Sequence, residues 1–241
     1  LHPNHLQWLR TNWPIDRHQW VLLGVALVGT VGVFVVVGLL MTDVAAPNFI
    51  TRFDQDLAER LASDRTSFQD ELAHWGSFIA STPMKIGITA LVPVVALVVG
   101  RHWHETVFVA LTLIFEASAF IVVTYIVSRS RPDVPRLEDS PVNSSYPSGH
   151  VAAATVYGAF VVILFWHTRS IWLRAFSIVL VAAVIGLVGW SRLYGGMHYL
   201  SDVVTGFLLG VWSLMLYLFI MGPPHDRREG QPAVDRFAPR G

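Results

Sequence analysis

Two short groups of polar residues in this chain have the types and the spacing that phosphate chemistry requires. The first group is Pro147-Ser148-Gly149-His150, and the second comprises Ser191-Arg192, His198 and Asp202. Histidine can act as an acid, a base or a nucleophile near neutral pH, and arginine carries a planar, permanent charge that matches phosphate oxygens. Together the two groups predict a site that binds a phosphate and transfers it.

The position of each group along the chain adds to this prediction. Ser148 and Gly149 open an apolar run, so the N–H groups of a helix N-terminus would face an anion, and Gly149 has no side chain to block it. Ser148 could equally cap that helix. His198 and Asp202 are four residues apart, so on a continuous helix the carboxylate can hold one imidazole nitrogen and leave the other free. Arg131, at the end of another apolar run, adds a second guanidinium.

These residues must be positioned by membrane-spanning helices. Hydrophobic residues make up 53% of the 241 residues and charged residues 14%, and the mean hydropathy is +0.50. That balance is typical of membrane proteins, in which a spanning helix needs about 20 apolar residues. The sequence therefore predicts an all-α, polytopic membrane protein with six transmembrane helices. The six apolar runs lie near Trp20–Thr42, Pro83–Gly100, Thr106–Ser128, Val151–Trp166, Ile171–Trp190 and Val203–Met221.

A polar segment, residues 43–81, separates the first two spans. Apolar residues recur in it every three or four positions, which predicts two amphipathic helices on the extracytoplasmic membrane surface. The two stripes are Phe49, Phe53, Leu57 and Leu61, and then Phe68, Leu72, Trp75 and Ile79. Such helices form either a lid over a lipid entrance or a surface-packed connector. We expect a single membrane domain over residues 1–241, with a polar tail at 223–241.

The order of the spans predicts where the motifs meet. Six spans place both termini on one side of the membrane and all of the motif residues on the other side. Arginines in the loops on the side of the termini favour a cytoplasmic location for that side. The site is therefore expected on the extracytoplasmic face of the cell membrane. A net charge of zero and the absence of cysteine argue against nucleic-acid binding and against thiol chemistry.

The motifs resemble those of the type 2 phosphatidic acid phosphatase (PAP2) superfamily, integral-membrane lipid phosphatases related in their site to vanadium haloperoxidases. The family pattern is KxxxxxxRP, then PSGH, then SRxxxxxHxxxD. The second motif is complete at Pro147–His150 and the third is complete at Ser191–Asp202. The first motif retains Arg131-Pro132 but has Thr124 at the lysine position.

Thr124 stands where the family pattern has a lysine, so a cation is replaced by a hydroxyl that offers only a neutral hydrogen bond. Arg129 is a candidate substitute if residues 129–131 are extended, which Pro132 favours for the residue before it. Glu116 lies deeper in the same span on the same face as Thr124. An acid within a membrane span marks a possible functional site, and we rank a structural partner role for Glu116 slightly above a catalytic one.

The resemblance also implies a mechanism that needs no metal or cofactor. His198 would attack the phosphorus to form a phosphohistidine, with Asp202 stabilising the imidazolium. His150 would protonate the leaving group and then serve as the base for water. The phosphate oxygens would be held by Arg131, Arg192, Ser148 and the N–H of Gly149.

The substrate implied by the membrane setting and the resemblance is a lipid phosphate. Phosphatidic acid, phosphatidylglycerol phosphate and a polyprenyl phosphate or diphosphate all fit, and similarity to carrier-lipid recycling enzymes favours the last. Three other functions stay open. They are a phosphotransferase that passes the phosphoryl group to a sugar or lipid, a vanadate-dependent haloperoxidase, and a non-catalytic protein that binds lipid phosphates.

Overall fold

The computed structural model describes residues 15–44, 49–88, 91, 103–140, 143–226 and 231–232. Most of these residues are helical. The helices are α1 Arg17–Leu39, α2 Phe49–Ser63, α3 Ser67–Ile79, α4 Trp103–Ile126, α5 Gly149–Val156, α6 Gly158–His167, α7 Ile171–Tyr194 and α8 Leu200–Met221. A π-helical turn, Leu40–Val44, extends α1, and residues 82–88 are also helical. Two-residue strands, β1 His225–Asp226 and β2 Gln231–Pro232, pair antiparallel beyond α8.

The expected all-α membrane architecture is confirmed. Five helical segments among the described residues are long and apolar enough to cross a membrane. They are Arg17–Thr42, His104–Ile126, Gly149–His167, Ile171–Tyr194 and Leu200–Met221. Most of the second predicted span, Pro83–Gly100, lies outside the described residues, so the structure accounts for five of the six predicted spans.

Side chains on the outer surface of the bundle are apolar. Val25 and Val28 on α1 are exposed, as are Trp172, Phe176 and Val179 on α7. In water this surface would favour association, but hydrocarbon is as apolar as these side chains and needs no further cover. The chain is therefore a multi-pass membrane protein.

Helices α2 and α3 confirm the two amphipathic helices predicted for residues 43–81. Their apolar side chains face outward, with Phe53 49% and Phe68 73% exposed. Two of their polar side chains face the bundle, since Asp54 is 2% and Ser77 4% exposed, whereas others, such as Asp56 and Glu71, are exposed. A helix lying on a lipid surface can expose its apolar stripe and still satisfy its polar groups against protein.

Two glycines let α8 pack closely against α5. A Cβ atom on Gly206 would lie 2.3 Å from the Ser148 carbonyl oxygen, and one on Gly210 would lie 2.6 Å from the Ala152 carbonyl oxygen. Small residues four positions apart allow this close approach of helix backbones in membranes. The Ser148 N–H also donates to the Asp202 carbonyl at 3.0 Å. The second and third motifs are thus joined through their backbones.

We expect Gly206→Val to destabilise the bundle, because the added side chain would overlap backbone atoms that cannot rotate away. The penalty for overpacking of this kind is about 1–3 kcal/mol. Thermal unfolding of the detergent-purified protein measures it. Gly186→Val is the matched control, since a Cβ on Gly186 of α7 meets nothing within 4 Å. Equal melting temperatures for the two variants would contradict the packing argument.

Candidate active site

A loop after α4 positions the arginine of the first motif. Helix α4 ends at Ile126, and the following segment pairs with the residues before Pro147, where the Ser145 N–H donates to the Arg129 carbonyl at 2.9 Å. The stretch before Pro132 is non-helical, as expected from the proline. From this loop the Arg131 side chain reaches the Met197 carbonyl in the turn after α7.

A tight turn after α7 positions the nucleophile candidate. The N–H groups of Met197 and His198 both donate to the Arg192 carbonyl, at 3.1 and 3.2 Å. Gly196 makes this turn with a φ of 68°, a left-handed conformation that glycine adopts without strain, and a Cβ there would lie 2.8 Å from Val134. The turn therefore holds His198 beside Arg192.

The hydrogen bonds of His198 determine which ring nitrogen is free. Nδ1 lies 2.6 Å from the Ser145 carbonyl oxygen. A carbonyl only accepts, so Nδ1 carries the hydrogen in the neutral ring and Nε2 has the lone pair. Burial, together with the charges of Arg192 and Arg131, lowers the pKa of His198 well below its ordinary value. At neutral pH the ring is uncharged and Nε2 can act as a nucleophile.

The expected hydrogen bond between His198 and Asp202 does not form. Helix α8 begins at Leu200, so His198 precedes it and the helical four-residue spacing does not apply. Nδ1 of His198 lies 4.0 Å from Oδ2 of Asp202. That carboxylate instead accepts from the Tyr199 N–H at 2.9 Å and from Arg129 Nη1 at 2.5 Å. At this distance Asp202 can affect the imidazole through its charge but not through a hydrogen bond.

Thr124, at the lysine position of the first motif, and Arg129, its candidate substitute, both have hydrogen-bond partners within the protein. The Thr124 hydroxyl donates to the Tyr146 carbonyl at 2.9 Å, so it holds the loop that leads to Pro147. Arg129 donates to two carboxylates, those of Asp202 and Asp54. These contacts do not support the interpretation of Arg129 as a phosphate ligand that replaces the lysine.

Arg131 is oriented by backbone and hydroxyl groups. Its guanidinium donates to the Met197 carbonyl, to Ser140 Oγ at 2.7 Å and to the Ser144 carbonyl at 3.0 Å. Burial, with the nearby charge of Arg192, lowers the pKa of Arg131 to about 10. The side chain therefore remains a cation at neutral pH.

Arg192, the second guanidinium, is held by a carboxylate and a hydroxyl. It is 3% exposed. Nη1 donates to Glu138 Oε2 at 2.7 Å and also to Ser77 of α3. A cavity of about 150 Å³ opens beside this pair and is lined by Asp70, Ala73, His74, Leu137, Glu138, Ser191, Arg192, Gly195 and Met197.

The second and third motifs each contain a buried donor that has no hydrogen-bond partner in the described part of the chain. They are Arg192 Nε and Ser148 Oγ. Ser148 precedes α5 but its side chain does not cap the helix, so the capping alternative is not realised. A buried donor without a partner costs about 1–3 kcal/mol, and a phosphate oxygen would satisfy it. The arrangement is that of an anion site at a helix N-terminus.

The remaining predicted residues lie on α4 and α5. A Cβ on Gly149 would lie 2.7 Å from the Phe120 ring, so the missing side chain makes room for that ring. His150 is partly exposed in the first turn of α5 and is close enough to His198 to interact with it electrostatically. Glu116 is buried in α4, and its Oε2 has no hydrogen-bond partner in the described part of the chain, so its role stays a prediction.

Sequence reasoning missed Asp54, Ser77, Glu138 and the Ser145 carbonyl. Asp54 and Ser77 lie on α2 and α3 outside the apolar stripes that the sequence identified, so the pattern gave no reason to place them at the site. Glu138 is in a loop with no periodic pattern. A surface helix that also packs on the bundle can turn single polar residues toward the protein, and an amphipathic pattern does not say which ones.

Comparison with known proteins assigns this architecture to a class. The PAP2 superfamily model matches residues 105–223, which contain all of the motif residues. A crystal structure described as the first transmembrane PAP2-type phosphatidylglycerolphosphate phosphatase, from Bacillus subtilis, superimposes with a TM-score of 0.67 at 20% identity, covering 82% of this chain and 94% of that one. Aquifex aeolicus LpxE aligns with a TM-score of 0.54 at 19% identity, over 69% of this chain and 95% of that one. The part of the chain that carries the motifs, residues 105–223, belongs to the PAP2 superfamily.

Curated relatives share parts of the sequence. Phosphatidylglycerophosphatase B of Bacillus subtilis is 37% identical over 99 residues, 40% of this chain and 46% of that protein. Undecaprenyl-diphosphatase of Sulfolobus acidocaldarius is 32% identical over 138 residues, 55% of this chain and 53% of that protein. The bacitracin transport permease protein BcrC of Bacillus licheniformis is 38% identical over 92 residues, 38% of this chain and 40% of that protein. The chain spans about half the length of these relatives.

We expect Glu138→Gln to tighten anion binding, because a phosphate must compete with the Glu138 carboxylate for Arg192. The change should lower the dissociation constant for inorganic phosphate or vanadate by roughly 3- to 10-fold, as the loss of a partly exposed ion pair implies. Isothermal titration calorimetry in detergent measures it. Asp139→Asn, at the exposed neighbouring position, is the control. Weaker binding in Glu138→Gln would mean that Glu138 orients Arg192 instead of competing with the anion.

Proposed function

We propose that this protein is a membrane lipid phosphatase that hydrolyses a phosphate monoester or diphosphate lipid through a phosphohistidine. The observation that carries the proposal is the pairing of a neutral, buried His198 with two buried donors, Ser148 Oγ and Arg192 Nε, that have no partner in the described part of the chain. A nucleophile next to an anion site is the minimum arrangement for phosphoryl transfer. The names of two curated relatives, phosphatidylglycerophosphatase B and undecaprenyl-diphosphatase, support the same reaction class.

In the first step Nε2 of His198 attacks the phosphorus and the bond to the lipid oxygen breaks. His150 donates a proton to that oxygen, which leaves as an alcohol or a lipid phosphate. The imidazole becomes positive and keeps its Nδ1–H on the Ser145 carbonyl. Asp202, at 4.0 Å from Nδ1, stabilises the new charge.

In the second step water attacks the phosphorus and the bond to Nε2 breaks. His150, now deprotonated, accepts a proton from the water. Inorganic phosphate leaves and His198 returns to its neutral form. In both steps Arg131, Arg192 and Ser148 hold the phosphate oxygens while their charge is greatest, and donors that are already oriented make this stabilisation effective.

The proposed substrate is a lipid because the site lies at the end of membrane-spanning helices and beside α2 and α3. Phosphatidic acid, phosphatidylglycerol phosphate and a polyprenyl phosphate or diphosphate are the candidates. The surface helices serve as part of the wall of the site, since Ser77 of α3 accepts from Arg192. We further propose that residues 1–241 form one membrane domain in the cell membrane, with the site on the extracytoplasmic face.

We expect the purified protein to release inorganic phosphate from at least one of these lipids with a chelator present. His198→Gln should reduce kcat by about 10³-fold or more, because it removes the nucleophile. Glutamine is preferred to alanine here since His198 is buried, 5% exposed, and an amide can still donate to Ser145. His18→Gln, at an exposed position in the first turn of α1, is the control. Turnover retained in His198→Gln would rule out the nucleophile assignment.

The same assay separates hydrolysis from transfer. A phosphatase releases phosphate whose new oxygen comes from water labelled with ¹⁸O, with no acceptor needed. A phosphotransferase would release little phosphate without an added alcohol and would yield a phosphorylated sugar or lipid when one is supplied. Mass spectrometry of the products decides between them.

A further inference from the structure

A buried cluster of three charges lies beside the site. Arg129 Nη1 donates to Asp202 Oδ1 at 2.5 Å, and Nη2 donates to Asp54 Oδ2 at 3.2 Å. The relative exposures are 4% for Arg129, 2% for Asp54 and 0% for Asp202. The guanidinium is stacked on the Tyr199 ring, with Cζ 4.6 Å from the ring centroid. One cation thus joins a carboxylate of the surface helix α2 to the carboxylate of the third motif.

The N-terminus of α8 binds both carboxylates of this cluster. Asp202 accepts from the Tyr199 N–H at 2.9 Å, and Asp54 Oδ1 accepts from the Ser201 N–H at 3.3 Å. The hydroxyl of Ser201 also donates to Asp54 and accepts from Arg129. The positive end of a helix stabilises nearby carboxylates. Asp54 therefore helps to stabilise the N-terminus of α8, the helix that begins two residues after His198.

The geometry of Asp202 connects this cluster to catalysis. Its Oδ1 is held by Arg129 and its Oδ2 is the oxygen 4.0 Å from His198 Nδ1. No hydrogen bond joins the carboxylate to the imidazole, so the effect of Asp202 on His198 depends on the position and the charge of the carboxylate, and Arg129 and the Tyr199 N–H both hold that carboxylate. Arg129 in turn is shared with Asp54. If Asp54 lost its charge, the guanidinium would neutralise Asp202 more completely and weaken the field at His198.

We infer that Asp54 and Arg129 are positioning residues for the catalytic carboxylate Asp202, and that the surface helix α2 is therefore part of the catalytic apparatus. The inference rests on the proposed phosphatase function. Neither side chain is placed to bind the phosphate, since both are committed to the charge cluster. Their effect should appear in the chemical step and not in substrate binding.

The test compares Asp54→Asn and Arg129→Lys with the wild type, by steady-state kinetics on the lipid that the wild type hydrolyses. Asparagine keeps one acceptor oxygen, which can still face Arg129 and the Ser201 hydroxyl, but it carries no charge and cannot also accept from the Ser201 N–H. We therefore expect kcat to fall about 10-fold while KM changes less than 2-fold. Lysine keeps the charge but cannot bridge two carboxylates, so kcat should fall by more, about 30-fold. Asp56→Asn, at an exposed position on the same helix, is the matched control.

A double-mutant cycle adds a test that a merely structural role would not pass. Arg129→Gln should abolish most activity, because it leaves two buried carboxylates unpaired. Adding Asp54→Asn removes one of them, so the double variant should regain at least 3-fold in kcat over Arg129→Gln. Thermal unfolding of each variant shows whether activity is lost at temperatures where the protein is folded.

The outcomes distinguish the inference from the proposed function. If the wild type releases phosphate and Asp54→Asn matches Asp56→Asn, the inference is wrong and the proposed function stands. A rise in KM at unchanged kcat would also overturn the inference. So would a loss of activity that is fully explained by the fraction of each variant that is unfolded. If Arg129→Gln does not fold, Asp54→Asn and Arg129→Lys still decide the matter. If the wild type releases no phosphate from any lipid, the proposed function fails first.

Discussion

The backbone contact between α5 and α8 is the constraint on which the rest of the site depends. Gly206 lies directly against the Ser148 carbonyl, and the Ser148 N–H donates to the Asp202 carbonyl at 3.0 Å. Helices that touch at this distance cannot slide or rotate without opening a void or creating an overlap. The second and third motifs are therefore held at a set separation, and His198, which comes just before α8, is held with them.

The surface helices show how a membrane changes the meaning of an amphipathic pattern. In a soluble protein the apolar side chains of α2 and α3 would face the core. Here Phe53 and Phe68 are exposed, and Asp54 and Ser77 are buried against the bundle. Lipid accepts apolar side chains at no cost, whereas polar groups away from water need protein partners. For that reason the predicted surface segment contributes directly to the site.

Arg129 and Arg192 are both buried but are satisfied in different ways. Arg129 is paired with two carboxylates and stacked on an aromatic ring, so it is suited to orienting its neighbours. Arg192 has one partly exposed carboxylate, Glu138, and a buried Nε without a partner in the described part of the chain. An incoming phosphate can replace that carboxylate and satisfy that donor. Under the proposed function the first arginine orients its neighbours and the second binds the phosphate.

By itself the sequence determined the membrane class, most of the spans and the end of the bundle at which the motifs meet. The bilayer sets the length of each span, so apolar runs of that length can be recognised in the sequence. Each span crosses the bilayer once, so successive loops lie on alternate sides. Only the tertiary structure decided the partner of each side chain. His198 bonds to Ser145, which is 53 residues away in the chain, and Arg129 to Asp54, which is 75 residues away. Local spacing rules act over three or four residues, whereas these pairs arise from the way in which whole helices pack.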